Sequence, residues 1–264
     1  MSDGGYLWYQ EDDVHIGQRM AIEKYEPYLT QLFKRHLTRG AKVVDVGANI
    51  GHYSLAAARI IGKKGKVWVL EPEANNFEIL KKNLDENRIK NVEAVKAAVG
   101  RNEGVTRIIK SKENFGDHRV GGKTGEAVKL ISLDKLLGGQ KIDVIKIDVQ
   151  GWEPEVIAGT KTIIGRDRPT IIMEFCPIMM KEARTDSNQM WKFLEKIYGS
   201  IWVIDENVNT YKKVRFDEAV RLANNPTASV NLIMLSNIDV RFIVNRILDI
   251  GWKKLIKKMW DNLS

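Results

Sequence analysis

From Lys42 onward, short apolar runs alternate with longer stretches whose apolar residues recur at helical spacing. VVDVG (43 to 47), KVWVLE (66 to 71), VEAVKAAVG (92 to 100), DVIKID (143 to 148) and TIIMEF (170 to 175) read as strands. Helices are predicted from about Ser54, from about Asn75 and over EPEVIAGTKTII. This alternation predicts a parallel sheet with helices on both faces, and two of the runs are apolar enough to be covered on both sides. Two further strands, IWVID (201 to 205) and VNLIML (230 to 235), flank a helix around FDEAVRLA. Residues 101 to 125 are polar and rich in glycine and read as a hairpin or long surface excursion ahead of the strand-like EAVKLIS. No repeat, low-complexity tract or Pro/Ser-rich linker breaks the series. The chain therefore divides into an amino-terminal segment (1–38, helical from about residue 16), one α/β domain (39–237) and a carboxy-terminal tail (238–264).

Composition narrows the class. Of 264 residues, 44% are hydrophobic and 29% charged, enough apolar material for a real core, which excludes disordered and fibrous chains. The lone cysteine, Cys176, has no partner for an intramolecular disulfide, and no Cys/His cluster has zinc spacing. No apolar run reaches the roughly 18 residues of a membrane span, and the acidic start MSDGGYLWYQEDDVH is unlike a signal peptide. A cytoplasmic protein is expected. The net charge of +8 leaves nucleic acid, anionic lipid and phosphorylated ligands open as partners. The tail carries much of it: residues 241 to 264 hold six basic and two acidic residues. Val240, Phe242, Ile243, Ile247, Trp252, Leu255, Met259 and Trp260 fall close to a helical period. A basic amphipathic helix of this kind fits peripheral membrane contact or docking on its own domain or on a second copy.

The candidate chemistry centres on VVDVGANIGHYS (43 to 54). Gly47 and Gly51 permit a turn after the first strand and close approach of a ligand to the main chain. Glu71, about twenty residues on at the end of the second strand, can accept both hydroxyls of a ribose. Ala48, Asn49 and Ile50 between the glycines depart from the turn that cradles a pyrophosphate. With Asp45 and Asn49 they suit a ligand bearing an amine and a carboxylate, which favours S-adenosyl-L-methionine over a nicotinamide dinucleotide. The alternative is a core strand that merely ends in a turn.

The sequence resembles the FkbM-like S-adenosylmethionine-dependent methyltransferases. YEPYLTQLF (25 to 33), VVDVGANIGHYSL (43 to 55), VLEPEANNFEILKKNL (69 to 84), AAVG (97 to 100), ISLDKLL (131 to 137), IDVIKIDVQGWEPEVIAG (142 to 159) and PTIIMEFCP (169 to 177) match its blocks in order. The resemblance implies a Rossmann-like class I methyltransferase fold, a seven-stranded mostly parallel sheet whose last strand is antiparallel, and transfer of a methyl group to a hydroxyl. It also implies cofactor contacts at Glu26, Asp45, Gly47, Asn49, Gly51, Tyr53, Glu71, Pro72, Ala98, Asn114 and Asp148. Gln150 departs from the family, which commonly has Glu there.

Ligands of open α/β sheets bind at the carboxyl ends of the strands, where Asp148 and Glu174 fall. Asp148, followed by Gly151 and Glu153, is the expected substrate-side carboxylate, or else a helix cap. Glu174 is either an inward carboxylate needing a partner or a solvated strand end. His118, in ENFGDHRV with Asn114, can act as a general base, or the segment is a turn held by Asn and Asp side chains. Asp148, His118 and Glu153 are thus the catalytic candidates. No metal site is expected, since no histidine pair has zinc-helix spacing. The leading expectation is O-methylation of a hydroxylated small molecule, sugar or glycan. RNA methylation fits the basic charge, but IDVQGW lacks the proline pair usual for base amines, so nucleic acid is the less favoured partner. A non-catalytic cofactor-binding module is the third reading.

Overall fold

A computed structural model describes residues 6–9, 25–110, 118–121, 124–223 and 229–235. Both the tail from 238 and Asn114 lie outside the described residues. Of the amino-terminal segment, helix α1 (Pro27–Arg35) is described.

The alternating series folds as β1 (Lys42–Val46), α2 (His52–Ile61), β2 (Lys66–Leu70), α3 (Ala74–Glu86) and β3 (Val92–Val95). It resumes with β8 (Val144–Ile147), α5 (Glu153–Ala158), α6 (Lys161–Asp167) and β9 (Thr170–Phe175), after an insertion described below. Then come α7 (Pro177–Glu182), α8 (Ser187–Tyr198), β10 (Ile201–Asp205), β11 (Thr210–Val214), α9 (Phe216–Leu222) and β12 (Val230–Met234). The main sheet has the order β11-β10-β12-β9-β8-β1-β2-β3. Its five strands from β9 to β3 run parallel, and β12 inserts antiparallel between β9 and β10. Seven of the strands follow the expected plan. The eighth, β11, pairs antiparallel with β10 at the edge and is not apparent from the sequence, because TYKKV is largely exposed and polar.

Alternate residues of each central strand supply two cores. Val43, Val67 and Val69 pack under α1, α2 and α3, while Val44, Leu70, Ile145 and Ile147 pack under the helices of the other face. At roughly 1.5–3 kcal/mol for each fully buried aliphatic side chain, these layers are the main source of stability. The exception in the pattern is Lys146, a charged residue only 1% exposed on the α1 and α2 face of β8.

VEAVKAAVG does not form one strand. The Ala97 N–H turns back onto the Val95 carbonyl (3.0 Å), and the chain leaves the main sheet. Ala98–Val99 becomes β4, which joins β5 (Gly104–Ile109), β6 (Arg119–Val120) and β7 (Glu126–Ile131) in a second sheet of order β4-β7-β5-β6. The excursion of 101 to 125 thus contributes β5 and, at the edge of the sheet, β6, while the strand-like EAVKLIS after it is β7, antiparallel to β5; α4 (Leu133–Leu137) leads from β7 to β8. Ala98, Ile108, Val120 and Val128 form its core. Trp152, at the start of α5, packs against that core and donates from Nε1 to the Val99 carbonyl (3.0 Å), tying the second sheet to the main one.

Among the described residues, no helix is long and apolar enough to cross a membrane.

Candidate functional site

Strand order reverses between β1 and β8, and such switch points open a crevice at the carboxyl ends of the strands. Gly47 follows β1 and Asp148 follows β8, and the two chains nearly touch: a Cβ on Gly47 would lie 1.9 Å from the Asp148 carbonyl oxygen. With φ of +79°, Gly47 also occupies backbone space that disfavours any side chain. An open cleft, about 370 Å³ when counted out to its mouth, lies here. Gly47, Asn49, Glu71 and Pro72 line one side, Asp148, Val149 and Gln150 another, and Ile108 and Val120 of the second sheet, with His118 just before β6, line the rest.

Glu71 is anchored by main-chain groups. Its Oε2 accepts from the Asn49 N–H and its Oε1 from the Glu73 N–H, both at 2.9 Å. Each carboxylate oxygen retains a further lone pair for a ligand. Burial pushes Glu71 up to about 7 despite these two backbone donors. Glu73 in turn caps α3 by accepting from Asn76 N–H (2.8 Å), and its other oxygen pairs with Lys110 at the end of β5 (2.6 Å). Burial opposes the charge on Glu73, but the Lys110 ammonium holds it below the usual carboxylate range. The covering sheet is therefore fastened to the loop that carries Glu71.

A charged network lies deeper. Lys146 Nζ donates to Asp148 Oδ2 (3.2 Å) and stands 5.0 Å from the Tyr53 ring. Burial works against its charge, but Asp148, Glu26, Asp45 and Glu174 outweigh that and raise its pKa. The Tyr53 hydroxyl donates to Glu26 Oε2 (2.6 Å), and burial, with Glu26 beside it, pushes this phenol well above its usual range. Glu26 is raised by burial. Its own helix, α1, has no side-chain cap from its N-cap residue. Glu206, between β10 and β11, serves instead, accepting from the Tyr28 and Leu29 N–H groups (3.2 and 2.9 Å) where the helix dipole favours an anion. Gln150 Nε2 donates to Asp148 Oδ1 (3.1 Å) and to Glu174 Oε2 (2.9 Å). Burial, then the charges of Asp148 and Glu153, push Glu174 well above the usual carboxylate range.

The structure brings Gly47, Asn49, Glu71, Pro72, His118 and Asp148 to the cleft wall. Other candidates lie behind it. Asp45 is buried under α2, accepts from Ser54 Oγ (2.5 Å) and is pushed up to about 6 by burial. Gly51 opens α2 against Leu80. Ala98 lies in the second sheet's core with Ile108, Val120 and Val128, and does not line the cleft. Glu153 is not brought to the cleft: fully buried, its Oε1 accepts from the Val149 and Gly151 N–H groups (3.2 and 3.3 Å). It thereby braces the turn that presents Asp148 and Gln150, and burial pushes it up to about 7.

Sequence reading missed Lys146, because in IKI a lysine reads as the outward position of a half-buried strand. It also missed Asn83 on α3 and Asn87, four residues on at the C-cap of that helix. Asn83 donates to the carbonyls of Trp8 (3.0 Å) and Ile50 (2.8 Å) and accepts from the Trp8 N–H (2.6 Å), while Asn87 pairs likewise with Tyr6. Together they strap residues 6–9 beside the glycine loop. An i, i+4 asparagine pair on an amphipathic helix was the available signal. Among the described residues, no three His, Cys, Asp or Glu side chains are placed to hold a metal ion.

Residues 45–200, more than half of the chain, match the family described as "Methyltransferase FkbM domain". Two curated proteins named "Probable cobalt-precorrin-6B C(15)-methyltransferase (decarboxylating)" also match. That of Sulfurisphaera tokodaii is 33% identical over 75 residues, 28% of this chain and 39% of the relative. That of Sulfolobus acidocaldarius is 35% identical over 78 residues, 30% and 41% respectively. The chain thus spans about two fifths of the length of the curated relatives it matches. Among solved structures, a methyltransferase FkbM from Methylobacillus flagellatus is similar at 13% identity and a TM-score of 0.47, covering 82% of this chain and 60% of that one.

Proposed function

We propose, from the premise that this chain belongs to the Methyltransferase FkbM domain family, that it is an S-adenosylmethionine-dependent methyltransferase whose acceptor atom is a hydroxyl oxygen of a small molecule, sugar or glycan. The observation that carries this is the cleft itself: a side-chain-free approach at Gly47 and a main-chain-anchored Glu71 face Asp148 and His118 across the switch point.

The residues present fit the cofactor. Glu71 has acceptor capacity left for a pair of ribose hydroxyls, Gly47 and Asn49 offer main chain at close range, and the Asp148 carboxylate on the cleft wall suits an ammonium. When bound, S-adenosylmethionine supplies the electrophilic methyl group. The chain's part is positioning and proton removal. Lys146 and Gln150 fix the Asp148 carboxylate from two sides, so that it can orient an acceptor hydroxyl. His118, just before β6, is the group that takes the hydroxyl proton. Ile108 and Val120 beside it keep water from the reacting atoms.

Incubation with methyl-labelled S-adenosylmethionine and a panel of glycosides, polyols and phenols tests the reading, with label expected on oxygen. The names of the two curated relatives favour a second reading, methylation of a tetrapyrrole carbon. Label on such a carbon, with none on oxygen, would replace the first.

A further inference from the structure

Five carboxylates, Asp148 on the cleft wall and four behind it, crowd around one buried ammonium. Asp45, Asp148, Glu26 and Glu174 all act on Lys146, and Glu153 acts on Glu174. One cation cannot balance five anions in a buried site; burial first, with the neighbouring carboxylates adding to it, raises the proton affinity of Glu26, Asp45, Glu153 and Glu174. Asp148 and Glu174 remain side by side, and what lies between them is the amide of Gln150, with Nε2 at 3.1 Å from one and 2.9 Å from the other. Its placement is costly. Gln150 has φ of +53°, in the left-handed region where a residue with a side chain is strained. Gly151 after it has φ of +92°, and a Cβ there would lie 2.6 Å from Met179 main-chain atoms. Glu153 Oε1 clamps the same turn through the Val149 and Gly151 N–H groups. The turn is built to aim this one side chain at the two carboxylates.

We propose that Gln150 is a positioning residue whose amide N–H groups take the place of a cation between Asp148 and Glu174, so that Asp148 is presented to the cleft as a single oriented carboxylate. The inference rests on the reading of Asp148 as the acceptor-side carboxylate, and deepens it. A carboxylate at position 150 would add a further anion to a group already short of positive charge. A divalent cation, which prefers hard oxygen ligands, would then be drawn in. Emptying the position would leave the same space between two acids.

The test is a Mn²⁺ titration of the full chain, of Gln150→Glu and of Gln150→Gly, by calorimetry and by the electron-spin resonance of free Mn²⁺, with folding checked by circular dichroism. Glycine relaxes the left-handed backbone, so the second variant decides the matter if the first does not fold. The parent is expected to show no saturable Mn²⁺ site. Both variants should gain one, at least about tenfold tighter than any binding by the parent, the glutamate variant more so. Parent binding as tight as that of the variants, or a folded glycine variant with no gain, would overturn the proposal. S-adenosylhomocysteine titrated into the parent separates the two claims: its failure to bind removes the functional reading and leaves the Mn²⁺ result to be judged alone.

Discussion

At the scale of single residues, the site is made of carboxylates with unequal tasks. Glu71 is held by two main-chain donors and keeps lone pairs for a ligand. Glu71→Ala should weaken S-adenosylhomocysteine binding by about 1.5–3 kcal/mol for each charge-assisted bond lost, and unchanged calorimetric affinity would remove Glu71 from the cofactor site. His118→Ala should leave that affinity in place while turnover falls roughly 10²–10⁴-fold; turnover equal to the parent's would exclude His118 as the base. The buried acids also set a pH dependence. Asp45 at about 6, and Glu71 and Glu153 at about 7, lie above their values in the unfolded chain. The folded state therefore binds more protons, and their contribution to stability is full below the ordinary carboxylate range and lost as pH rises through about 7. Thermal melts of the protein without ligand should show a Tm that falls between about pH 5 and pH 8. A Tm that climbs over this interval would contradict the burial of these groups. Chemistry of this kind is only half legible in a sequence. Glu71 follows from its spacing after the glycine loop, whereas Lys146 in IKI is seen as buried only once β8 is known to be covered on both faces.

At the scale of elements, two non-local contacts hold parts around the cleft, one at α1 and one at the glycine loop. Glu206 caps α1 from the far end of the sheet, so the helix that carries Tyr28 and Leu29 into the core is positioned by a residue remote in sequence. Glu206→Ala should cost about 1 kcal/mol, read as a Tm lower by roughly 2–4 °C for a domain of this size. Asn83 joins the 6–9 strap to the glycine loop, and Asn83→Ala removes three bonds at once. The expected loss is about 1–3 kcal/mol, with weaker S-adenosylhomocysteine binding because the Ile50 carbonyl is released. Equal affinity in parent and variant would show that the strap and loop are uncoupled. The alternation of apolar runs and helices revealed β1, β2, β8, β9, β10 and β12. It ran β3 and β4 together, because nothing in VEAVKAAVG marks the turn at Lys96 where the chain changes sheets. It passed over β11, because an exposed edge strand lacks the apolar face that betrays the others.

For the whole molecule, function follows from where the sheet reverses. The order β3-β2-β1-β8-β9 places the reversal between β1 and β8. The glycine loop, Asp148 and Gln150 meet there, and the second sheet, latched by Lys110 to Glu73 and by Trp152 to Val99, covers the opening. Parts drawn from five stretches of the chain converge on one cleft, an arrangement with no evident purpose in a protein that binds nothing. The central claim is that this cleft receives S-adenosylmethionine. Isothermal titration of the full chain with S-adenosylhomocysteine, with NAD as control, tests it most directly. Micromolar binding of the first and none of the second is predicted; binding of NAD alone, or of neither ligand, would contradict the account.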